Sequence, residues 1–168
     1  MTSRIVNNLK VSPSGLDFIK RHEGLRLKVY RDVAGHQTIG YGHKLTKREI
    51  GKLITITKAQ AETLLMGDVW IPQMYVNATA RVPLTQNQFD ALVSFAFNLG
   101  VGALDTSSLL RFVQAGNFVA AAAEFEKWDN FRDPKTKKLI EAPGLKKRRL
   151  EEKALFLKIE KDDVYDRN

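Results

Sequence analysis

The chain has 168 residues, 43% hydrophobic and 27% charged, which is typical of one globular domain or of two small lobes sharing a core. It contains no cysteine, which excludes disulfides, thiolate nucleophiles and thiolate zinc sites. Its 27 Lys and Arg residues exceed its 19 Asp and Glu residues and give a formal charge of +8, so an anionic partner is expected.

The first predicted elements are a helix and a β-hairpin. Ser12 can cap a helix that begins at Pro13, and Gly24 is expected to end it. Residues 25–41 are rich in strand formers and contain a central Ala-Gly turn, which predicts a short hairpin.

The remainder of the chain is predicted to be mainly helical. A capping box at Thr57 begins a long helix that runs to Tyr75 or beyond, with a kink expected at Pro72. A second box at Thr85 begins a helix that is apolar on nearly every face, as is typical of the centre of a core. Shorter helices near residues 106–114 and 117–128, a lysine-rich loop and a last helix over residues 145–159 follow.

These elements predict an α+β fold that is predominantly α. We expect a single domain over residues 1–168, composed of a small N-terminal hairpin lobe, a linking helix and a larger C-terminal helical lobe. Their approximate bounds are 13–56, 57–79 and 80–168.

Two carboxyl groups near the N-terminus are the candidates for chemistry. Glu23 falls in the last turn of the first helix, where the negative end of the helix dipole disfavours a further negative charge and so favours a protonated carboxyl. The adjacent basic residues would oppose this effect if they pointed at Glu23. Asp32 follows Arg31 in the hairpin, where solvent and a cation favour the ionised form. A protonated and an ionised carboxyl are the acid and base that cleavage of a glycosidic bond requires.

The spacing of these residues resembles the bacteriophage lysozymes, the endolysins of glycoside hydrolase family 24. The signature of that family places Asp eight intervening residues after Glu, and Thr five intervening residues after Asp. Glu23, Asp32 and Thr38 keep both intervals, within the surrounding H-E-G and T-I-G-Y-G-H motifs. Further similar blocks occur at Phe97–Gly100, Ser107–Leu110, Trp128, Gly144-Leu145 and Arg148-Arg149 with Glu152, so the resemblance extends from about residue 13 to residue 157.

The resemblance implies a lysozyme-like fold and hydrolysis of the β-1,4 bond between N-acetylmuramic acid and N-acetylglucosamine in peptidoglycan. Glu23 would be the general acid, Asp32 the base, and the Thr38 hydroxyl would help to place the water. We expect inversion at the anomeric carbon, because a water-holding threonine has little purpose in a covalent mechanism. The residues that match sugar-facing positions of the family are Lys44, Phe97, Asn98 and Ser108; for Phe97, a purely structural role in the core is the alternative.

Two supporting contacts are also predicted. Either Arg148 or Arg149 is expected to reach inward to a catalytic carboxylate, and the motif does not decide which. Asp68 interrupts an apolar run, so it needs a cation if it is partly buried, and His43 is the proposed partner in a structural brace. The alternative is that Asp68 is simply exposed.

Other functions remain as alternatives. A lytic transglycosylase would cut the same bond with one acid and without Asp32 or Thr38. The last helix could disrupt membranes, because basic residues precede an apolar stretch, although packing of that stretch onto the helical lobe competes with this interpretation. No aromatic-basic motif supports nucleic-acid binding, and the three histidines lack the spacing of a metal site, so no cofactor is expected.

The expected partners and location follow from charge and family resemblance. Peptidoglycan and the anionic bacterial envelope would both attract a basic surface. The polar N-terminal residues predict neither a signal peptide nor a membrane anchor. The resemblance implies a monomer that accumulates in the host cytoplasm and reaches the wall through a holin-type pore.

Overall fold

A computed structural model describes residues 7–32, 34–132, 136 and 138–159. Val33 in the predicted hairpin, and residues 133–135 and 137 in the predicted lysine-rich loop, lie outside this description.

The first helix, α1, spans Pro13–Glu23, as the capping residues predict. The Ser12 hydroxyl accepts a hydrogen bond from the backbone N–H of Gly15, which satisfies one of the unpaired donors of the first turn. Gly24 ends the helix with a φ of 71°, in the left-handed region that favours glycine. Glu23 is therefore the last residue of the helix.

The predicted hairpin is part of a three-stranded antiparallel sheet. Its strands are β1 (Arg26–Arg31), β2 (Gln37–Gly40) and β3 (His43–Lys44), hydrogen-bonded in that order. Thr38 lies opposite Tyr30 on one side and opposite Lys44 on the other. Strand β2, which carries Thr38, is therefore the central strand of the sheet.

Two helices that begin with capping boxes form the centre of the molecule. Helix α2 spans Lys58–Thr79 and includes Pro72, and helix α3 spans Gln86–Leu99. Helix α2 packs against both the sheet and α3, so it connects the small lobe with the helical lobe. Ten consecutive residues of α3, from Asn87 to Ala96, are buried, as its apolar pattern predicts.

The helical lobe continues with several short elements. They are α4 (Val101–Asp105), α5 (Ser108–Gln114), α6 (Phe118–Glu124), a 3₁₀ turn (Phe125–Trp128), β4 (Asn130–Arg132), β5 (Leu139–Glu141) and α7 (Pro143–Leu157).

The sequence prediction is corrected at three places in this lobe. The helix expected from residue 106 begins at Ser108, because the Ser107 hydroxyl caps it, and the separate helix α4 precedes it. The segment predicted as a lysine-rich loop contains the antiparallel pair β4 and β5. The last helix begins at Pro143 instead of residue 145, since proline is well suited to the first turn.

Aromatic side chains fill the core of the helical lobe. Phe95 of α3 makes edge-to-face contacts with Phe125 and Trp128, with ring centroids 5.7 and 5.4 Å apart. Phe156 of α7 packs against Phe125 with a centroid separation of 5.6 Å. The apolar side chain of Phe156 thus packs against the core of the helical lobe. Every helix within the described ranges is too short or too polar to cross a membrane.

Candidate active site

Glu23 lies at the junction of α1, the sheet and α7. The Nη1 atom of Arg148 donates a hydrogen bond of 2.5 Å to Glu23 Oε1. A Cβ atom at Gly42 would lie 3.2 Å from Glu23 Oε2, and Gly42 has a φ of 84°. Glycine at this position allows the turn between β2 and β3 to pass beside the carboxyl group.

Glu23 forms part of the wall of an open cleft with a volume of about 490 Å³. This volume is within the range of small-molecule binding sites. Nine residues from both lobes and from α2 line the cleft: Glu23, Gly42, Lys44, Asp68, Pro72, Phe97, Asn98, Leu99 and Gly100. Three of the predicted sugar-facing residues, Lys44, Phe97 and Asn98, are therefore brought together around Glu23.

Ser108 is the exception among the predicted sugar-facing residues. It is the first residue of α5 and is not among the side chains that line the cleft. Its hydroxyl accepts a hydrogen bond of 2.9 Å from Arg111 Nη2, one turn further along the same helix. The short helix α4 separates the end of α3, where Phe97 and Asn98 lie, from α5.

Asp32 closes the tight turn between β1 and β2. Its Oδ1 atom accepts backbone hydrogen bonds from Ala34 (2.9 Å) and His36 (2.8 Å), and its Oδ2 atom lies 3.2 Å from His36 Nδ1. Lys44 Nζ is 4.0 Å from the same oxygen. Desolvation raises the pKa of Asp32, but the hydrogen bonds from His36 and Ala34 together outweigh it and lower the pKa below its ordinary value. This environment favours the ionised carboxylate.

The Tyr30 phenol is influenced electrostatically by both carboxyl groups. Burial raises the pKa of the Tyr30 phenol, the nearby Arg26 guanidinium lowers it, and the negative charges of Glu23 and Asp32 raise it further. The Tyr30 side chain on β1 is therefore within electrostatic range of both carboxyl groups. The sequence does not single out Tyr30 as a residue of the site, because strand propensity alone accounts for an aromatic residue at this position.

Thr38 is buried on β2, with 2% of its surface exposed. Its hydroxyl donates a hydrogen bond of 3.1 Å to the carbonyl oxygen of His36. The proton of the hydroxyl is thereby engaged with this carbonyl oxygen, whereas the hydroxyl oxygen retains lone pairs that can accept a hydrogen bond.

The two arginines of α7 have different partners. Arg148 reaches Glu23, while Nη2 of Arg149 donates a hydrogen bond of 2.9 Å to Asn98 Oδ1. Both arginines are buried, and both contact Glu152, whose side chain is fully buried. The motif left open which arginine faces the carboxylate, and the structure brings Arg148 to it.

His43 and Asp68 form a contact between β3 and α2. The Nδ1 atom of His43 lies 2.9 Å from both carboxylate oxygens of Asp68, and its Nε2 atom lies 3.4 Å from Glu49. The hydrogen bond with Asp68 raises the pKa of His43, desolvation lowers it, and the charges of Asp68 and Glu49 contribute to the net increase. The pair joins the small lobe to the linking helix at the edge of the cleft.

Several residues of the site were not identified as such from the sequence. Pro72, Leu99 and Gly100 line the cleft, and the buried Ser94 contacts Arg148 and Glu152. The capping-box helix α3 was recognised as central to the core, but a serine on an almost wholly apolar helix could have indicated a buried polar partner.

Comparison with known proteins supports the class of protein that this fold and cleft define. Residues 20–152 match the family described as phage lysozyme. The endolysin of Acyrthosiphon pisum secondary endosymbiont phage 1 is 45% identical over 148 residues, covering 88% of this chain and 98% of the relative.

Solved structures agree with this comparison. The endolysin from Escherichia coli O157:H7 phage FAHEc1 superposes with a TM-score of 0.83 at 38% identity, covering 91% of this chain and 96% of the other. The muramidase domain of SpmX from Asticaccaulis excentricus gives a TM-score of 0.81 at 37% identity, covering 89% and 99%. The fold is that of a lysozyme and the enzyme class is glycoside hydrolase. The chain belongs to the phage lysozyme family.

Proposed function

We propose that this enzyme hydrolyses the β-1,4 bond between N-acetylmuramic acid and N-acetylglucosamine in bacterial peptidoglycan, with Glu23 as general acid and Asp32 as base. The observation that carries the proposal is a carboxyl group in the wall of the cleft, with a second carboxyl group at the β1–β2 turn of the adjoining sheet whose surroundings favour the ionised form. Glu23 lies in the wall of the cleft against a guanidinium, and Asp32 accepts hydrogen bonds that lower its pKa. The charges of both groups raise the pKa of the same tyrosine, Tyr30.

In the proposed reaction, the Glu23 proton passes to the glycosidic oxygen as the bond between that oxygen and the anomeric carbon breaks. The oxygen of a water molecule forms a new bond to the anomeric carbon, and the proton that the water loses passes to Asp32. Arg148 stabilises the carboxylate that Glu23 becomes after it donates the proton, because its Nη1 atom already contacts Oε1 at 2.5 Å.

Thr38 and the remaining cleft residues serve the same reaction. The oxygen of Thr38 accepts a hydrogen bond from the attacking water, and attack from the side opposite the leaving group inverts the anomeric configuration. Lys44, Phe97 and Asn98 contact the sugars by charge, apolar stacking and hydrogen bonding, in accordance with their places around the cleft. Ser108 is proposed only as a more distant contact for a longer glycan.

The proposal is tested by digestion of purified peptidoglycan in water enriched in ¹⁸O, followed by mass spectrometry of the muropeptides. We expect a reducing N-acetylmuramic acid end that carries one labelled oxygen. Glu23→Gln should lower the rate by a factor of about 10²–10⁴ while the fold is retained, because general acid catalysis contributes an effect of this size. Glu62→Gln is the matched control, because the Glu62 carboxyl group also pairs with a cation, Lys20 Nζ at 3.0 Å, and does not line the cleft; it should retain the wild-type rate.

The muropeptides and the killing of cells distinguish the proposed function from its alternatives. Anhydro ends without ¹⁸O would show a lytic transglycosylase and would overturn the assignment of Asp32 as a base. Killing of cells by a folded Asp32→Asn variant as effectively as by the wild type would favour membrane disruption by α7. A covalent glycosyl adduct on Asp32 would replace inversion by retention.

The proposed setting is the envelope of an infected bacterium. The enzyme is proposed to accumulate in the host cytoplasm as a monomer and to reach peptidoglycan after a holin-type pore opens the membrane. The charge of +8 would attract it to the anionic envelope, so lysis should weaken as the salt concentration rises.

A further inference from the structure

Glu152 is a fully buried carboxylate at the centre of the two arginine contacts. Its Oε1 atom accepts hydrogen bonds from Ser94 Oγ (2.7 Å), Arg148 Nε (3.1 Å) and Arg149 Nη2 (3.1 Å). Its Oε2 atom lies 2.9 Å from Arg149 Nε. Burial raises the pKa of Glu152 above its ordinary value, and the two guanidinium groups and the serine act against this increase. Three donors converge on Oε1 and the Arg149 guanidinium lies beside Oε2, and these contacts oppose the effect of burial and favour the ionised carboxylate.

Each arginine that Glu152 holds also contacts a residue that lines the cleft. Arg148 binds Glu152 through Nε and Glu23 through Nη1, so the two carboxylates fix opposite ends of one guanidinium. Arg149 binds Glu152 and also Asn98, which lines the cleft. A planar guanidinium that is held at one end has little freedom at the other. The position of Glu152 on α7 therefore sets the direction of both contacts.

The charges of this cluster depend on Glu152. With Glu23 and Glu152 both ionised, two carboxylates balance two guanidiniums, and of these four groups only Glu23 reaches the cleft. If Glu152 carried no charge, both guanidiniums would act on Glu23 alone and would oppose its protonation. The charged groups around the cluster are Arg148 and Arg149 from α7 and His22 and Glu23 from α1. The carboxylates of the neighbouring elements have other partners. Asp90 of α3 is hydrogen-bonded to Ser12 and Gln86, Glu124 of α6 pairs with Lys127, and Glu126 of the 3₁₀ turn pairs with Lys153.

We propose that Glu152 is a positioning residue for the reaction: it directs Arg148 and Arg149 towards Glu23 and Asn98, and its negative charge allows Glu23 to hold the proton that it donates. This inference rests on the proposed function, because it assigns a role to Glu152 through the general acid. A purely structural role would change stability without changing the pH dependence of the rate.

The test is the pH–rate profile of peptidoglycan hydrolysis, from about pH 4 to about pH 9, by folded Glu152→Gln and Glu152→Asp variants. In Glu152→Gln the surplus positive charge favours loss of the Glu23 proton, so the alkaline limb of the profile should move by about one pH unit to lower pH. At a given pH on that limb, the rate should therefore fall about tenfold. Glu152→Asp keeps the charge but shortens the side chain. It should keep the limb in place and lower kcat at least about threefold with KM little changed, because the arginines are displaced.

Glu126→Gln is the matched control, because it also removes a carboxylate that pairs with a basic residue of α7, Lys153. It should leave the profile unchanged. A folded Glu152→Gln variant with the wild-type profile would overturn the proposal. If Glu152→Gln does not fold, Glu152→Asp decides. A wild-type kcat in Glu152→Asp would overturn the proposal, and a lowered kcat with the alkaline limb unmoved would support it.

The failure of this inference can be distinguished from the failure of the proposed function. Full activity in Glu23→Gln would overturn the assignment of the acid itself. Loss of activity in Glu23→Gln together with a wild-type profile in both Glu152 variants would overturn only the role of Glu152.

Discussion

Arg148 donates a hydrogen bond of 2.5 Å to Glu23 across 125 residues of chain, which joins the last helix to the first at the wall of the cleft. The same guanidinium also contacts Glu152 at 3.1 Å and Ser94 at 3.2 Å, and only 4% of its side chain is exposed. Loss of this one side chain would leave a buried carboxylate with fewer partners.

We therefore expect Arg148→Ala to lower the free energy of unfolding by about 3–5 kcal/mol, because removal of one partner from a buried ion pair leaves an uncompensated charge. Denaturant unfolding followed by circular dichroism measures this change. Lys147→Ala is the control, since its side chain is 75% exposed and lies 3.9 Å from Glu151. It should cost less than about 1 kcal/mol. Equal stability of the two variants would contradict the importance of the buried contacts.

The turn around Asp32 predicts a change in the acidic limb of the pH–rate profile. The His36 ring lies 3.2 Å from Asp32 and is one of the groups that lower the pKa of Asp32. In His36→Ala the carboxylate should take up a proton at higher pH, so the acidic limb should move upwards by a few tenths of a pH unit. Arg48→Ala removes an exposed cation from the same lobe and should leave that limb in place. A limb that moves downwards in His36→Ala would contradict this account of Asp32.

The His43–Asp68 contact predicts that stability depends on pH. Because Asp68 raises the pKa of His43 above 6.5, the contact stabilises the folded state fully below that value and loses this effect as the pH rises through the folded pKa. Asp68→Asn should therefore lower the free energy of unfolding by about 1 kcal/mol at about pH 5 and by less at about pH 9.

Unfolding of Asp68→Asn at both pH values is the measurement. Asp17→Asn is the comparison, because Asp17 is 71% exposed and lies 3.5 Å from Lys20. Its effect should be small at both pH values. A larger loss of stability for Asp68→Asn at the alkaline pH would mean that the pair does not depend on protonated His43.

Two helical glycines are expected to respond in opposite directions to alanine. A Cβ atom at Gly15 in α1 would lie 2.5 Å from the carboxyl carbon of Asp90, whose oxygens are held by Ser12 and Gln86. At Gly67 in α2 a Cβ atom meets nothing within 4 Å. Gly67→Ala should stabilise the protein by about 0.5–1 kcal/mol through helix propensity, whereas in Gly15→Ala the clash should outweigh that gain.

The melting temperatures of the two alanine variants test this contrast. We expect a higher value than wild type for Gly67→Ala and a lower one for Gly15→Ala. A gain in both would mean that the Asp90 carboxylate moves aside at little cost.

Local signals in the sequence were sufficient for the elements whose ends depend on capping. Helices α1, α2 and α3 begin where the sequence places Ser12 with Pro13 and the capping boxes at Thr57 and Thr85. The match is close because a side-chain hydroxyl can satisfy a first-turn N–H only from that position. The pair β4 and β5 was missed because its segment is highly charged and lacks the alternating apolar pattern of a buried strand.

The site itself was only partly predictable, for a physical reason. Glu23 and Asp32 lie nine positions apart, so their spacing forms a motif that can be identified in one short segment. The contacts of Arg148, Ser94 and Glu152 join helices far apart in the chain, and no local pattern determines which charged residue of α7 turns inward. Their pairing depends on the packing of α7 against α3, which only the three-dimensional structure provides.

The distance in sequence between Glu23 and Arg148 has a consequence during translation. The ribosome has made Glu23, Asp32 and the whole sheet long before the guanidinium that contacts Glu23 is polymerised. A nascent or truncated chain that ends before α7 lacks both arginines and the carboxylate that holds them. The proposed proton donor thus acquires its final surroundings only after α7 has been synthesised.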